Sequence, residues 1–468
     1  LWCMNIRKTR IIATIGPSTI SKSMIDKMVI AGMDAARINM SHYHSDFNLK
    51  SIVAAIRQSA NNHNKSVSII MDLPGPKIRT GNTDIIEIKR GKEYTLGKDA
   101  DISINLKFKD LERGAKVKID DGKISFSVIQ KISNSKILIR SKNSGKIKSR
   151  KGVNISGLNV NLPTLQAQDI KFAKMAIDLD LDWIALSFVR FKEDRELLDK
   201  LFKRKKHYIP LIAKIEKREA VNNIHDIIDS FDGILIARGD LGLELELEKV
   251  PSLQKKIIKK CNQRCKPVIV ATQMLESMID NPLPTRAEVS DVASAIYDGT
   301  DSIMLSGETA VGDFPLESIR MMKTISINVE KEISINEGFR NLITIPNKAD
   351  VKKSICFSAY QMSKDLSIKV MVIMTESGDT GNTMSSFRPT STIIAMTPSR
   401  RVYRRLSLSW GVYPVMSRKF KSTDQMLSFI KEFLVDNKII KKDELFIMTA
   451  GVPVGVTGST NMIKIERV

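Results

Sequence analysis

No apolar run in the sequence approaches the roughly 18 residues needed to cross a bilayer, so no membrane span is expected. The N-terminus, LWCMNIRKTR, is too short and too polar for a secretory signal, which predicts a cytoplasmic protein. Cysteine is scarce: Cys3, Cys261, Cys265 and Cys356 make no disulfide framework in 468 residues. Cys261 and Cys265 stand four apart on a predicted helix, but no nearby His or Cys completes a tetrahedral set, and ordinary reduced thiols are expected. Acidic residues are the other shortage, 52 Asp plus Glu against 74 Lys plus Arg, for a net charge of +22. Such a surface attracts polyanions and raises nucleic acid as a partner. The lysines are scattered, however, and accompany abundant Ile and Asn, as an AT-rich coding bias would produce. The densest cluster, KRKKH at 203–207, reads as the solvated end of a helix rather than a localisation signal, and no nucleic-acid partner is expected.

What is present fits a soluble globular enzyme, with 42% hydrophobic and 27% charged residues and length for two or three domains. Four reactive signatures follow one another, each ending a short apolar run: IPLIAKIE (209–216), GILIARGD (233–240), KPVIVATQ (266–273) and DSIMLSGE (301–308). Together with RIIATIG (10–16), DAARINMS (34–41), SVSIIMDL (66–73) and DWIALSFV (182–189) they make eight strand-like segments, most of them separated by helical spacing. Eight alternating units predict an α/β fold, a closed (β/α)8 TIM barrel, with the active site at the C-terminal strand ends. The alternation breaks between the third and fourth strands. Residues 76–164 read as short strands and turns, a small β-barrel lid domain with 20 Lys plus Arg against 9 Asp plus Glu. The expected division is barrel 1–75, lid 76–164, barrel again 165–345, and a C-terminal α/β domain over 346–468.

Glu216 and Asp240 close the fifth and sixth predicted strands, and two neighbouring carboxylates with open positions suit Mg2+. Lys214, two residues before Glu216, shares its strand face and offers a point charge to a migrating phosphoryl group. Gly239 opens a turn whose free N–H groups suit a carboxylate or phosphate. Thr272 and Ser306 bring hydroxyls to the seventh and eighth strand ends. Arg37, Asn39 and Ser41 alternate along the second strand and face one way, with Arg37 suited to phosphate. Arg79 adds a second guanidinium beyond the third strand, and His42 reads as a positional hydrogen-bonder. TESGDTG (375–381) has the character of a phosphate-binding turn.

Taken together, RINMSH (37–42), DLPGPKIRTG (72–81), AKIEKREAV (213–221), ARGDLG (237–242), ATQMLESM (271–278), PTRAEVSDVA (284–293) and MLSGETA (304–310) resemble pyruvate kinase, in family order over essentially the whole chain. MTESG and GSTN in the C-terminal third look most like the bacterial type II branch. The resemblance implies Mg2+- or Mn2+-dependent phosphoryl transfer from phosphoenolpyruvate to ADP, giving ATP and pyruvate at the last step of glycolysis, in a homotetramer. It implies that Lys214 stabilises the migrating phosphoryl group and that Glu216 and Asp240 hold the metal. Gly239 and Asp240 would receive the substrate carboxylate and Arg37 its phosphate. Thr272 and Ser306 would serve protonation of the enolpyruvate, and His42, Arg79 and Lys151 would face the nucleotide.

Two departures stand out. The family K+ site maps to Asn39, Ser41, Asp72 and Leu73, but Lys77 occupies the position of a family Glu, and its ammonium is expected to make K+ dispensable. In the C domain, Thr375, Ser377, Gly378, Thr380, Ser459 and Thr460 keep the effector-loop pattern, while Glu376 and Asp379 add carboxylates that repel phosphate. Two rivals are a barrel lyase or aldolase acting on an oxaloacetate-like acid, indifferent to ADP, and a salt-sensitive RNA-binding protein.

Overall fold

The structure, a computed structural model, describes residues 7–43, 47–76, 78–108, 111–120, 122–156, 163–335, 350–453 and 460–468. Its centre is a closed barrel of eight parallel strands: Arg10–Ile15, Ala35–Asn39, Ser68–Leu73, Trp183–Leu186, Leu211–Ile215, Gly233–Ala237, Val268–Ala271 and Ser302–Leu305, the last pairing with the first. These runs are rich in Ile and Val because both strand faces are covered, one by the barrel interior and one by the surrounding helices. The helices start where the local chemistry directs. Ser21 accepts the Met24 N–H at the head of Lys22–Ala31, and Thr285 and Glu288 form a capping box at the head of Arg286–Tyr297. KRKKH falls at the exposed end of the helix Glu196–Lys205, where Lys206 turns left-handed at φ 50°.

The pleat of each strand sorts its residues into layers. Ile12, Ile70, Ala185 and Ile212 point into the barrel as one apolar layer. Two residues further along the same strands stand Thr14, Asp72, Ser187 and Lys214, and Glu216 follows Lys214 at the rim. Alternation carries each strand from an apolar floor to a polar mouth. The floor is closed from outside the barrel sequence: Leu408, in a 3-10 turn of the C domain, joins the same interior cluster and is 1% exposed.

The C domain follows as a five-stranded sheet whose order is Val412–Met416, Thr392–Thr397, Val370–Met374, Leu445–Gly451, Thr460–Arg467, the last strand antiparallel. Arg404 reaches Asp180 and Asp182 of the barrel, each at 2.6 Å, and Arg388 reaches Asp301 at 3.0 Å. The small barrel expected for the lid takes the form of a six-stranded sheet and a two-stranded ribbon around one apolar core. Bulges along Ile124–Ser133 curve the sheet, whose edges are not joined among the described residues.

Leu408→Ala should open a cavity under the barrel and cost about 2–5 kcal/mol, read as a lower denaturant midpoint. An unchanged midpoint would show that the barrel floor carries no stability from the C domain.

Candidate active site

Lys214 sits at the centre of the polar layer, 9% exposed. Its Nζ donates to Ser187 Oγ at 2.8 Å, and lies 2.9 Å from Glu216 Oε1 and 3.2 Å from Asp72 Oδ1. The Asp72 contact is an ion pair off the hydrogen-bond line. Asp72 Oδ2 takes Nε and Nη2 of Arg37, each at 2.7 Å, and Arg37 Nη1 donates to Thr14 Oγ1 at 3.1 Å. Ser187 hands the network on to the Leu73 carbonyl at 2.7 Å, and Glu216 Oε2 accepts the Phe188 N–H at 2.8 Å. Phe188 is left-handed at φ 56°, a conformation the loop holds against its usual cost of about 1–3 kcal/mol.

Charge decides how this cluster behaves. Burial opposes the Lys214 ammonium, but Asp72 and Glu216 together outweigh it and hold its pKa above the usual lysine range. Burial likewise opposes ionisation of Asp72, yet Lys214 and Arg37 keep it below the usual carboxylate range. Burial raises Glu216; Lys214 pulls it down, and the charge of Asp240 pushes it up again, so it ends above the ordinary value. Two cations therefore face three carboxylates, with one negative charge in excess. Among the described residues no hydrogen bond or ion pair engages the Asp240 carboxylate. The donors are all oxygens, which suits Mg2+ or Mn2+ at Glu216 and Asp240.

The sixth-strand expectation needs one correction. The strand ends at Ala237, and Gly239 and Asp240 lie in the first turn of the helix Arg238–Glu244. The run GILIARGD changes from strand to helix before its reactive residues, because Arg238 turns away to hold the next loop. Its Nη2 donates to the carbonyls of Thr272 at 2.9 Å and Gln273 at 2.8 Å, and its Nη1 lies 2.6 Å from Asp291. That grip holds Thr272 and Gln273 left-handed, at φ 69° and 54°. Thr272 Oγ1 then accepts the Gly239 N–H at 2.7 Å and donates to the Ala271 carbonyl at 2.6 Å.

Ser306 follows the eighth strand, and its buried Oγ has no partner among the described residues. Its N–H donates to Glu308 at 2.7 Å, and Glu308 also accepts the Leu275 N–H at 3.1 Å, tying the seventh and eighth loops together. Asn39 Oδ1 accepts the Ser41 N–H at 3.1 Å, but the strand ends at Asn39 and Ser41 lies in a 3-10 turn with His42, so the alternation does not extend to it. Arg79 and Lys151 meet on the lid side: Arg79 bonds the Arg150 carbonyl at 3.2 Å, and Lys151 pairs with Asp120 at 2.8 Å. Thr375, Ser377, Gly378, Thr380 and Thr460 lie together in the C domain, away from the barrel mouth. Lys77 and Ser459 fall outside the described residues.

Sequence reasoning passed over Ser187, Thr14, Arg238 and Glu308. Ser187 and Thr14 were accessible through the pleat, since each stands two residues beyond an apolar interior residue. Arg238 and Glu308 act on loop backbone, which strand periodicity does not report.

Comparison with known proteins covers nearly the whole chain. The family model described as "Pyruvate kinase, barrel domain" matches residues 6–319, and "Pyruvate kinase, alpha/beta domain" matches 353–466. The chain is 40% identical to pyruvate kinases of Staphylococcus aureus strains MRSA252 and USA300, over 99% of its own length and 81% of theirs. It is similar to the crystal structure of a pyruvate kinase from Cryptosporidium parvum, with a TM-score of 0.91 at 34% identity, covering 98% of this chain and 96% of that one.

Asp72→Asn should strand two buried cations and cost about 3–5 kcal/mol. The folded pKa of Asp72 is depressed, so this contribution is complete above the unfolded value of about 3.9 and is lost only as pH falls toward the lower folded value. Urea midpoints of wild type and Asp72→Asn should differ most near neutrality and converge in acid. A gap independent of pH would refute the ion-pair account.

Proposed function

The chain belongs to the pyruvate kinase family and is a phosphotransferase, and from that premise we propose how its barrel mouth moves a phosphoryl group from phosphoenolpyruvate to ADP. The carrying observation is the buried Lys214 ammonium held between Asp72 and Glu216 beside the open carboxylate of Asp240. Glu216 and Asp240 would hold Mg2+, which supplies charge neutralisation at the phosphate oxygens when bound. Arg37, oriented by Asp72 and Thr14, binds the substrate phosphate. Gly239 and Asp240 N–H groups orient the substrate carboxylate.

As the phosphorus–oxygen bond to enolpyruvate breaks and a β-phosphate oxygen of ADP forms the new one, charge spreads over the three equatorial oxygens. Lys214 meets that charge at a fixed place, already desolvated, so little reorganisation accompanies the transfer. The departing enolpyruvate needs a proton at its methylene carbon. Thr272 Oγ1, fixed by the Gly239 N–H and the Ala271 carbonyl, and the unpartnered Ser306 Oγ are the hydroxyls placed to relay it. His42, Arg79 and Lys151 face the nucleotide from the rim and the lid.

Oxygens of three of the four residues that correspond to the family K+ site already have protein partners. Asp72 binds Arg37 and Lys214, the Leu73 carbonyl accepts Ser187, and Asn39 accepts Ser41. This supports turnover without K+, with the charge of Lys77 in its place. In the C domain, Thr375 Oγ1 accepts the Gly378 N–H at 2.9 Å and Thr380 Oγ1 pairs with Thr460 Oγ1 at 2.7 Å. Engaged hydroxyls and the added Glu376 and Asp379 support a weak response to anionic effectors. A homotetramer is the assembly proposed.

Pyruvate should form from phosphoenolpyruvate, ADP and Mg2+ in K+-free buffer, and Lys214→Ala should lower kcat about a hundred- to a thousand-fold. Activity that appears only on replacing Na+ by K+ would keep the reaction and reject the role of Lys77. No pyruvate in either buffer, from folded protein, would reject the proposed transfer and favour the lyase reading. Ribose 5-phosphate and AMP should leave the phosphoenolpyruvate saturation curve in place; a clear leftward shift would reject the effector-loop reading.

A further inference from the structure

Among the described residues, two lid strands touch the barrel helix Arg238–Glu244, which also carries Asp240. Lid strands Lys116–Ile119 and Val153–Ile155 pair antiparallel, with Lys118 directly opposite Asn154. Val117 and Ile119 face the lid core, so Lys118 and Asn154 share the other face, where cross-strand neighbours act together. Lys118 Nζ donates to the carbonyls of Gly242 at 3.2 Å and Leu243 at 3.0 Å, in the last turn of Arg238–Glu244. Carbonyls there lack helical partners and carry the negative end of the helix dipole, so a cation from outside satisfies both needs. Asn154 Nδ2 donates to Glu244 Oε1 at 2.7 Å.

Glu244 is gripped from the barrel as well. Lys217, the residue after Glu216, pairs with its carboxylate, and Arg218 bonds its carbonyl at 3.2 Å. Gly122, at the turn after the Lys118 strand, is left-handed at φ 85°, and a Cβ there would come within 2.9 Å of Leu243. One short helix thus has Asp240 in its first turn and, in its last turn, contacts to the lid and to the neighbour of Glu216.

We propose that Lys118 is a positioning residue for phosphoryl transfer: it latches the lid onto the last turn of Arg238–Glu244, which fixes Asp240 against Glu216 and keeps water from the reacting phosphorus. The inference rests on the reaction proposed above. Its chemical signature is leakage. With the latch broken, a water oxygen attacks phosphorus in place of the ADP oxygen. The bond to enolpyruvate breaks as before, a proton is taken up at the methylene carbon, and phosphoenolpyruvate plus water give pyruvate plus inorganic phosphate.

The test measures pyruvate and ATP together for wild type, Lys118→Met, Lys118→Arg and the exposed neighbour variant Lys116→Met. Lys118→Met should lower kcat/KM for ADP about ten- to a hundred-fold and yield more pyruvate than ATP. Lys118→Arg should restore the matched yield, and Lys116→Met should not disturb it. Matched yields with wild-type kcat/KM in Lys118→Met would overturn the proposal. Hydrogen exchange on the wild-type chain gives a reading that needs neither a folded variant nor turnover. Amides of 116–119 and 242–245 should gain protection in parallel as ADP and Mg2+ are added, and independent responses would also overturn it. Wild type without any pyruvate would reject the reaction itself, leaving the latch to be judged on exchange alone.

Discussion

The buried ammonium of Lys214 is the constraint from which the rest of the barrel mouth follows. An ion taken out of water costs several kcal/mol even after relaxation, and only well-placed partners offset that. Its partners come from three other places in the chain: Asp72 ends the third strand, Ser187 follows the fourth, and Glu216 follows its own. Each must be in register for the charge to be tolerated. Arg37 on the second strand then balances Asp72, and Thr14 on the first takes the remaining guanidinium donor. Five consecutive strands are thereby committed to one electrostatic arrangement, and none of their polar residues could slip by one position without facing the helices instead.

The same strands that carry charge at the mouth are apolar at the floor, and the C domain is part of that floor. Leu408 completes the interior cluster from below, while Arg404 and Arg388 pair with barrel carboxylates around it. Two residues earlier, Leu406 packs beside Gly378 and Gly381, where a Cβ would meet its side chain at 3.4 and 3.2 Å. The phosphate-type turn of the C domain is therefore only one short 3-10 turn from the barrel interior. Gly378 is left-handed at φ 93°, so both the turn geometry and the close packing favour glycine there.

The sequence was most legible where one rule governed. Ile- and Val-rich runs with period-two polar residues exposed all eight barrel strands, and period two placed Lys214 and Glu216 on one face. Legibility failed where a second rule took over. Asp240 looked like a strand end because the apolar run before it was continuous, but helix geometry begins at Arg238. Glu308 and Arg238 hold loop backbone across 33 and 34 positions in sequence, and no local pattern encodes such a reach. The lid's charge was legible as a total, but a total does not separate Lys118, half-buried against a helix end, from the exposed lysines beside it.

The stretch ATQMLESM does more than carry the Thr272 hydroxyl. Ser277, in ATQMLESM, gives its N–H to Glu288 of PTRAE at 2.7 Å, and Thr285 forms the capping box with the same glutamate. Burial raises the Glu288 carboxyl, but Ser277 and Thr285 together hold it below the usual range, so it stays ionised as a rigid acceptor between loop and helix. That rigidity matters because Thr272 and Gln273, held left-handed a few residues earlier, depend on a loop that does not relax. The reacting groups, by contrast, are common residue types whose meaning comes from depth in the barrel. Membership of the family is thus read from a scaffold of backbone-holding residues. The chemical roles proposed for Lys214, Glu216 and Asp240 follow from where that scaffold leaves them.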